Sequence, residues 1–332
     1  VSVPRALDDR IREALTAAGV SEPVALADHP RSGRNQIVEV TGDGRAWIAK
    51  RTQAPAEAWF AATVAPSVSW APRCVPVEDP DLVIVERLTD AATVHELAGS
   101  DPDAALDALV DLAEPLAELH AWPTDDDTPP CAAALPELDP VNVVAVIDAT
   151  EPAREVLRRL HRRDALREAM RRTYVVEEPI GLIHGDLKSD NVLVAAGTPT
   201  LIDWELCGTG PLAWDLGSVV GSMLAMWVDS ADLDAPDAGA WLAGAAVPYE
   251  QVADASRRFT ERYRVAARGP VPDPGAIAAA AATWLVARAW AESLQRLTVD
   301  PRLLLRLVVA EGAVRHPARL LGGRPTPEAV GC

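Results

Sequence analysis

The chain has 332 residues, an apolar fraction of 49% and a formal net charge of −18, with a pI near 4.7. The length allows one large domain or two modest lobes, and the apolar content is enough for a packed core, which excludes a disordered chain. The acidic balance excludes a general nucleic-acid binder, which needs a basic footprint; it suits a cationic substrate or plain solubility.

Residues 6–18 place Leu7, Ile11, Leu15 and Ala18 on one side of a helix that Gly19 stops. The period then changes. Ile37, Val38 and Val40 are strand-like, TGDG is a hairpin turn because Asp-Gly suits the primed types, and Trp47 to Lys50 make the return strand. A helix over 55–65 opens at Pro55, which a first turn tolerates. PRCVPV and DLVIVERL read as two further short strands, and after Leu88 the strands give way. The spacing predicts one helix over 102–120, a Pro-, Asp- and Ala-rich connector over 121–150, and one charged helix over 151–173. A compact strand-and-loop region runs from Ile180 to Leu206. Helices follow at WDLGSVVGSMLAMWV, 251–267, 275–295 and 299–315, and the tail beyond Pro317, rich in Gly and Pro, is expected to fray. The fold class is α+β and bilobal, with a small antiparallel-sheet N-lobe over 1–88 and a larger, mostly helical lobe over 89–332. The cleft between two such lobes is where a ligand is expected.

Cys74, Cys131, Cys207 and Cys332 form no CxxC pair, which argues against a disulfide framework or a thiolate metal site. The opening VSVPRALDDRIREAL lacks the apolar run of a secretory signal. Apolar stretches elsewhere fall short of the roughly 18 residues a membrane span needs. The expectation is a cytoplasmic protein without membrane partners.

Of the 31 basic residues only two are lysines. Lys50 ends AWIAK, and Lys188 sits in GLIHGDLKSDNVLV. Lysine is a compact point charge where arginine is a planar fork, and both lysines lie where an enzyme handling phosphates wants the compact charge. The densest polar chemistry is HGDLKSDN, His184 to Asn191, followed by LIDWE, Leu201 to Glu205. The apolar runs VLV and TLIDW, separated by AAGTP, make a hairpin that brings Asp186, Asn191 and Asp203 to one end. Asn plus Asp is a hard-oxygen pair suited to Mg²⁺, which leaves Asp186 to orient a hydroxyl and accept its proton.

These motifs resemble the aminoglycoside phosphotransferase and choline kinase-like family, which shares the protein-kinase-like fold. The resemblance touches the chain from about Ser32 to about Asp215. It implies Asp186 as the catalytic aspartate, Asn191 and Asp203 as Mg²⁺ ligands, and Lys50 as the phosphate-contacting lysine with Glu57 as its ion-pair partner. Ser32, Gly33 and Asn35 of SGRN fall where the nucleotide-covering loop belongs, although the repeated glycines of protein kinases are missing there. Glu86 and Leu88 lie near the hinge that holds adenine, and Asp215 of WDLG supports the catalytic loop. His184 reads as a packed loop support, and Trp204 and Trp214 as cleft or core residues.

The implied reaction moves the γ-phosphoryl group of ATP, or GTP, to an acceptor hydroxyl on a small molecule such as an aminoglycoside or on a peptide Ser or Thr. Lys188, two residues after Asp186, is placed to act in catalysis. Small-molecule members often carry His or Arg there, whereas Ser/Thr protein kinases carry Lys in a DLKxxN run, so it leans toward Ser/Thr-like hydroxyls. A role in modified-peptide biosynthesis would bring a separate lyase as partner. A catalytically inactive kinase-like binding module is the reading from a different class.

Overall fold

Alternation sets the first sheet. In the computed structural model, which describes residues 5–21, 25–28, 36–132, 138, 148–174 and 179–321, β1 (Ala25–Asp28), β2 (Gln36–Gly42), β3 (Arg45–Arg51), β4 (Cys74–Val75) and β5 (Leu82–Glu86) form an antiparallel sheet of order β1-β2-β3-β5-β4. Asp43 and Gly44 both have positive φ, 49° and 71°, as the two-residue primed turn between β2 and β3 requires. Val38, Val40, Trp47 and Ala49 are buried with Leu7, Ile11 and Leu15 of α1 (Arg5–Ala17), so the helix seals one face of the sheet. Strand side chains alternate between faces, so Lys50 leaves β3 on the side away from α1. The predicted nucleotide loop, Ser32, Gly33 and Asn35, lies outside the described residues.

The second lobe packs around a larger core. Its elements are β6 (Ala92–Thr93), α3 (Val94–Ser100), α4 (Pro102–Val110), α5 (Ala113–His120), α6 (Glu151–Leu160), α7 (Asp164–Tyr174), β7 (Ile180–Ile183), β8 (Val192–Ala195), β9 (Thr198–Leu201), β10 (Gly208–Pro211), α8 (Leu212–Asp229), α9 (Ala238–Ala243), α10 (Tyr249–Ala266), α11 (Pro274–Ser293), α12 (Pro301–Arg315) and α13 (Pro317–Leu321). α2 (Pro55–Thr63) precedes them, and its Phe60 joins this larger core rather than the one under α1. β7 pairs with β10, and β8 lies between β6 and β9, all antiparallel. Among the described residues no helix is long and apolar enough to cross a membrane, and Cys74 and Cys207 are free thiols.

Four sequence expectations are corrected. Residues 102–120 form two helices because Pro115 has no N–H to offer the Asp111 carbonyl, so the first helix ends there and Pro115 sits in the first turn of the next. Residues 151–173 break at 161–163, where the Arg162 and Arg163 amides bond three residues back to Arg159 and Leu160. The two amphipathic halves thereby each bury their own leucines, Leu160 and Leu166. Strand structure also continues past Leu88, since Ala92–Thr93 pairs with β8, and Thr93 then starts α3 with a capping box closed by Glu96. The start of the tail, Pro317–Leu321, is helical, with Leu320 and Leu321 buried.

α8 and α11 cross closely because small residues face each other. A Cβ added at Gly217 would lie 2.4 Å from the Ala280 Cβ and 2.6 Å from the Ala281 nitrogen. Gly217→Ala should therefore lower unfolding stability by about 1–3 kcal/mol in urea titration. Gly99→Ala, at an exposed helical site with nothing within 4 Å of the added carbon, should be neutral or stabilising by up to about 1 kcal/mol. Equal effects at the two positions would contradict the close crossing.

Candidate active site

The HGDLKSDN loop is held by its backbone. Asp215, in the first turn of α8 and fully buried, accepts the His184 amide at 2.7 Å and the Gly185 amide at 3.0 Å. Its Oδ2 also lies 3.4 Å from His120 Nε2, and His120 Nδ1 is 2.8 Å from the Tyr263 hydroxyl. Burial pushes the Asp215 pKa up, but the hydrogen bond and charge of His120, with His184, more than reverse that and hold it below its ordinary value of 3.8. Gly185 has φ +83°, and a Cβ there would meet the Leu206 carbonyl oxygen at 2.7 Å, so only glycine fits. Trp214 donates its indole N–H to the Gly185 carbonyl at 2.9 Å. His184 Nδ1 accepts the Asp186 amide at 3.3 Å, which puts its proton on Nε2, donated to the Ile202 carbonyl at 3.0 Å. The imidazole is thus committed to the loop on both nitrogens.

These constraints deliver three side chains to one point. Asp186 Oδ2 takes the Lys188 ammonium and, at 3.1 Å, the Asn191 side-chain N–H. The same Asn191 nitrogen donates to the Asp186 carbonyl at 2.9 Å. Asp186 and Lys188 keep 27% and 24% side-chain exposure, enough to meet a ligand. Val192 pairs with Leu201 in the β8–β9 hairpin, and the Ile202 amide bonds the Asn191 carbonyl at 3.0 Å. That register brings Asn191 and Asp203 together as the hairpin reading requires. Asp203 sits at φ +67°, a left-handed conformation that costs a non-glycine residue of order 1–3 kcal/mol.

Lys50 completes the cluster from the other lobe. Its Nζ lies 2.5 Å from Asp203 Oδ1, 3.1 Å from Glu57 Oε1, 3.0 Å from Glu57 Oε2 and 3.6 Å from Glu205 Oε2. Burial opposes the lysine charge, yet Glu57 and Asp203 together hold its pKa above the ordinary lysine value. On Glu57 the balance runs the other way, since burial raises its pKa and Lys50 pulls it down only in part. We take the lysine as charged, because it has three carboxylates around it while Glu57 has one ammonium. Three residues after Glu57, Phe60 stacks on Trp204 with centroids 3.7 Å apart and planes 6° from parallel. The stack fixes α2 against the loop that carries Asp203.

The remaining predicted positions are placed less centrally. Glu86 ends β5 and accepts Arg45 Nη2 at 3.0 Å, and Leu88 is half-buried in the link between the lobes. Trp204 and Trp214 are buried packing residues. Sequence reasoning missed Glu205 as a neighbour of Lys50, His120 as the partner of Asp215, and Trp284, whose indole N–H donates to the Leu187 carbonyl at 3.1 Å. The last two act on partners 95 and 97 residues away in sequence, a separation that no local pattern reports.

Besides Glu57 and Asp186, the oxygen-bearing side chains at the cluster are Asn191, Asp203 and Glu205. Among the described residues no three or more His, Cys, Asp or Glu are grouped to hold a metal by themselves. Mg²⁺ is ordinarily bound through one or two protein oxygens, water and substrate phosphates. Asn191 and Asp203 fit that requirement, since Asn191 spends its nitrogen on Asp186 and keeps its amide oxygen.

A family model described as "Phosphotransferase enzyme family" matches residues 29–258. The chain belongs to the phosphotransferase enzyme family. Two methylthioribose kinases are similar over short stretches. The one from Erwinia tasmaniensis is 39% identical over 77 residues, 23% of this chain and 19% of that enzyme. The one from Pectobacterium atrosepticum is 26% identical over 113 residues, 34% of this chain and 28% of that enzyme. The matched stretch therefore spans less than a third of the length of either curated relative. Among solved structures, a glucosamine kinase in complex with glucosamine, ADP and inorganic phosphate is 17% identical, with a TM-score of 0.59 and coverage of 92% of this chain and 82% of that one. That likeness establishes a bilobal, protein-kinase-like α+β fold.

Asp215 gives the site a measurable acid limit. Its folded pKa lies below 3.8, so its contribution to stability is complete above about pH 4 and is lost as pH falls through the folded value. Asp215→Asn should cost about 2–4 kcal/mol at neutral pH and should flatten the acid side of the stability–pH curve. An unchanged acid slope in urea titrations between pH 3 and 5 would show that the buried carboxylate is not the group responsible.

Proposed function

We propose that this chain is an ATP-dependent O-phosphotransferase acting on a small-molecule hydroxyl. The observation that carries the reading is the convergence of two clusters. Lys50, Glu57 and Asp203 make a charged site between the lobes, and Asp186, Lys188 and Asn191 lie beside it on the catalytic loop. The division near residue 88 into a nucleotide lobe and an acceptor lobe is part of this proposal, as are GTP as a second donor, a cytoplasmic location and Glu86 and Leu88 beside the adenine.

In this reading Lys50 binds the α- and β-phosphates, held in place by Glu57. Asn191 and Asp203 would hold Mg²⁺, which when bound would neutralise charge on the phosphates. Asp186 accepts a hydrogen bond from the acceptor hydroxyl and orients it in line with the γ-phosphorus. A new O–P bond forms to the acceptor, the bond between the γ-phosphorus and the β–γ bridging oxygen breaks, the hydroxyl proton passes to Asp186 and ADP leaves. Lys188 offsets the negative charge at Asp186 and at the transferred group. Catalysis of this kind comes from alignment and charge stabilisation.

A cavity of about 790 Å³ beside the catalytic loop favours a small molecule over a peptide. The glucosamine and methylthioribose kinases named above point the same way. The Lys188–Asp186 contact serves either kind of hydroxyl, so the lysine does not select a peptide.

Asp186→Asn should lower kcat by about 10²-fold or more while the affinity for Mg-nucleotide, measured by calorimetry, is retained. Lys50→Met should weaken nucleotide binding itself. Transfer is read as the mass gain of one phosphoryl group on the acceptor. Undiminished transfer by Asp186→Asn would overturn the assigned base. Nucleotide binding without transfer to any acceptor in a wide panel would instead favour a kinase-like binding module.

A further inference from the structure

The cavity beside the catalytic loop carries an unexpected charge. Its wall includes Ser189, the residue after Lys188, and Trp284, which is bonded to the Leu187 carbonyl. Four guanidinium groups, Arg288, Arg296, Arg302 and Arg306, face three carboxylates, Asp229, Glu292 and Asp300. In a chain of net charge −18, this wall has more positive groups than negative.

The pairing leaves the surplus in particular places. Arg306 is only 6% exposed and binds Asp229 at 2.8 Å and Glu292 at 2.7 Å. Burial opposes its charge, but those two carboxylates hold its pKa above the ordinary arginine value. Its Nε–H has no hydrogen-bond partner among the described residues. Arg296 is matched by Asp300 at 3.1 Å. Arg288 lies 5.8 Å from the Trp284 ring centroid, and its nearest carboxylate, Glu292, is 3.8 Å away, outside hydrogen-bond reach. Arg302 gives Nε and Nη2 to the carbonyls of Asp229 and Ala231 at 3.1 Å each and has no carboxylate partner among the described residues. Glu292 is thus divided among three arginines, Arg306 at 2.7 Å, Arg288 at 3.8 Å and Arg296 at 3.9 Å, while Arg302 has no carboxylate among the described residues.

We propose that the acceptor carries an anionic group, a carboxylate or a phosphate, that seats against Arg288 and Arg302 with Arg306 behind them, its hydroxyl turned toward Asp186. The inference rests on the kinase reading for the hydroxyl's fate but not for the anion site. Guanidinium forks match carboxylate and phosphate oxygens in two-point bonds. A cationic amino sugar would meet a wall with more guanidinium groups than carboxylates, and the acidity of the whole chain does not offset that at contact distance.

Two measurements test it. In the first, hydroxy acids, sugar acids and phosphosugars are assayed with Mg-ATP beside their neutral amides or unphosphorylated sugars, and beside amino sugars. The acids should show kcat/KM roughly tenfold or more above their neutral counterparts. Arg288→Gln should raise KM for the acid and shrink that ratio by a similar factor. A preference for amino sugars, or an equal effect of the variant on acid and neutral acceptor, overturns the proposal.

In the second, inorganic phosphate is titrated calorimetrically into protein saturated with Mg-ADP. Arg288→Gln and Arg302→Gln should each weaken phosphate binding, with circular dichroism confirming the fold. Phosphate binding that is absent, or indifferent to both variants, also overturns it. Arginine-dependent phosphate binding in a protein that binds no nucleotide would keep the anion site and sink the kinase reading instead.

Discussion

A single buried carboxylate organises the candidate site. Asp215 has no contact with solvent, and an isolated charge there would be several kcal/mol too costly to keep. It is retained because two backbone N–H groups and His120 converge on it. Those amides belong to His184 and Gly185, so satisfying the charge dictates the path of the chain into Asp186. Gly185 then has no freedom to become another residue, and His184 has both ring nitrogens committed. The geometry of Asp186 is therefore a consequence of helix α8 presenting one acid at its first turn. Sequence distance matters little to this: Tyr263, His120 and Asp215 come from three separate helices, and each is needed for the next to be satisfied.

Lys50 does for the two lobes what Asp215 does for the loop. Its ammonium is surrounded by Glu57 from α2 and by Asp203 and Glu205 from the segment after β9. The Phe60–Trp204 stack lies one helical turn from Glu57, so the polar and apolar contacts act in parallel. A stacked pair of this kind adds about 0.5–1.5 kcal/mol beyond area burial, which holds α2 against the segment after β9 beside the ion pairs. The split of apolar cores fits this. Phe60 and Trp70 pack with the larger lobe although they precede residue 88 in the chain, and only α1 and the sheet face beneath it form a core of their own.

What could be read beforehand followed from how local the cause was. The β2–β3 hairpin depends on two adjacent residues, Asp43 and Gly44, and was legible to the residue. The Asn191–Asp203 juxtaposition depends on one short hairpin and was legible from two apolar runs and a turn. The pairing of Lys50 with Glu57 was an implication of the family resemblance, and the strand that ends at Arg51 and the helix that begins at Pro55 bring the two side chains to 3.0 Å. The single helices expected over 102–120 and 151–173 failed differently. Pro115 was a visible signal for the first break and was outweighed by an unbroken apolar period. The second break has no such marker, because only the packing of Leu160 and Leu166 against the core calls for it. Thr93 with Glu96 was also visible as a capping box, and it went unread because the preceding strand is just two residues long. His120, Trp284 and the Asp215 network required tertiary structure.

Net charge was the least informative number in the sequence for the site, and the cavity shows why. A value of −18 averages over the whole surface, whereas a ligand within a few ångströms responds to the nearest groups, since screening limits more distant ones to a range of about 10 Å. The local pattern was nevertheless written in the chain. Arg288, Glu292, Arg296 and Asp300 alternate in sign at intervals of four, which on a helix reads as a self-neutralising solvent face. The structure departs from that reading, since α11 ends at Ser293 and Arg296 and Asp300 lie beyond it. Arg306 enters from α12 and takes Glu292 at 2.7 Å, leaving Arg288 at 3.8 Å from the same carboxylate. One carboxylate is thus divided among three guanidinium groups, and the wall keeps a positive surplus where the cavity meets the loop after Leu187.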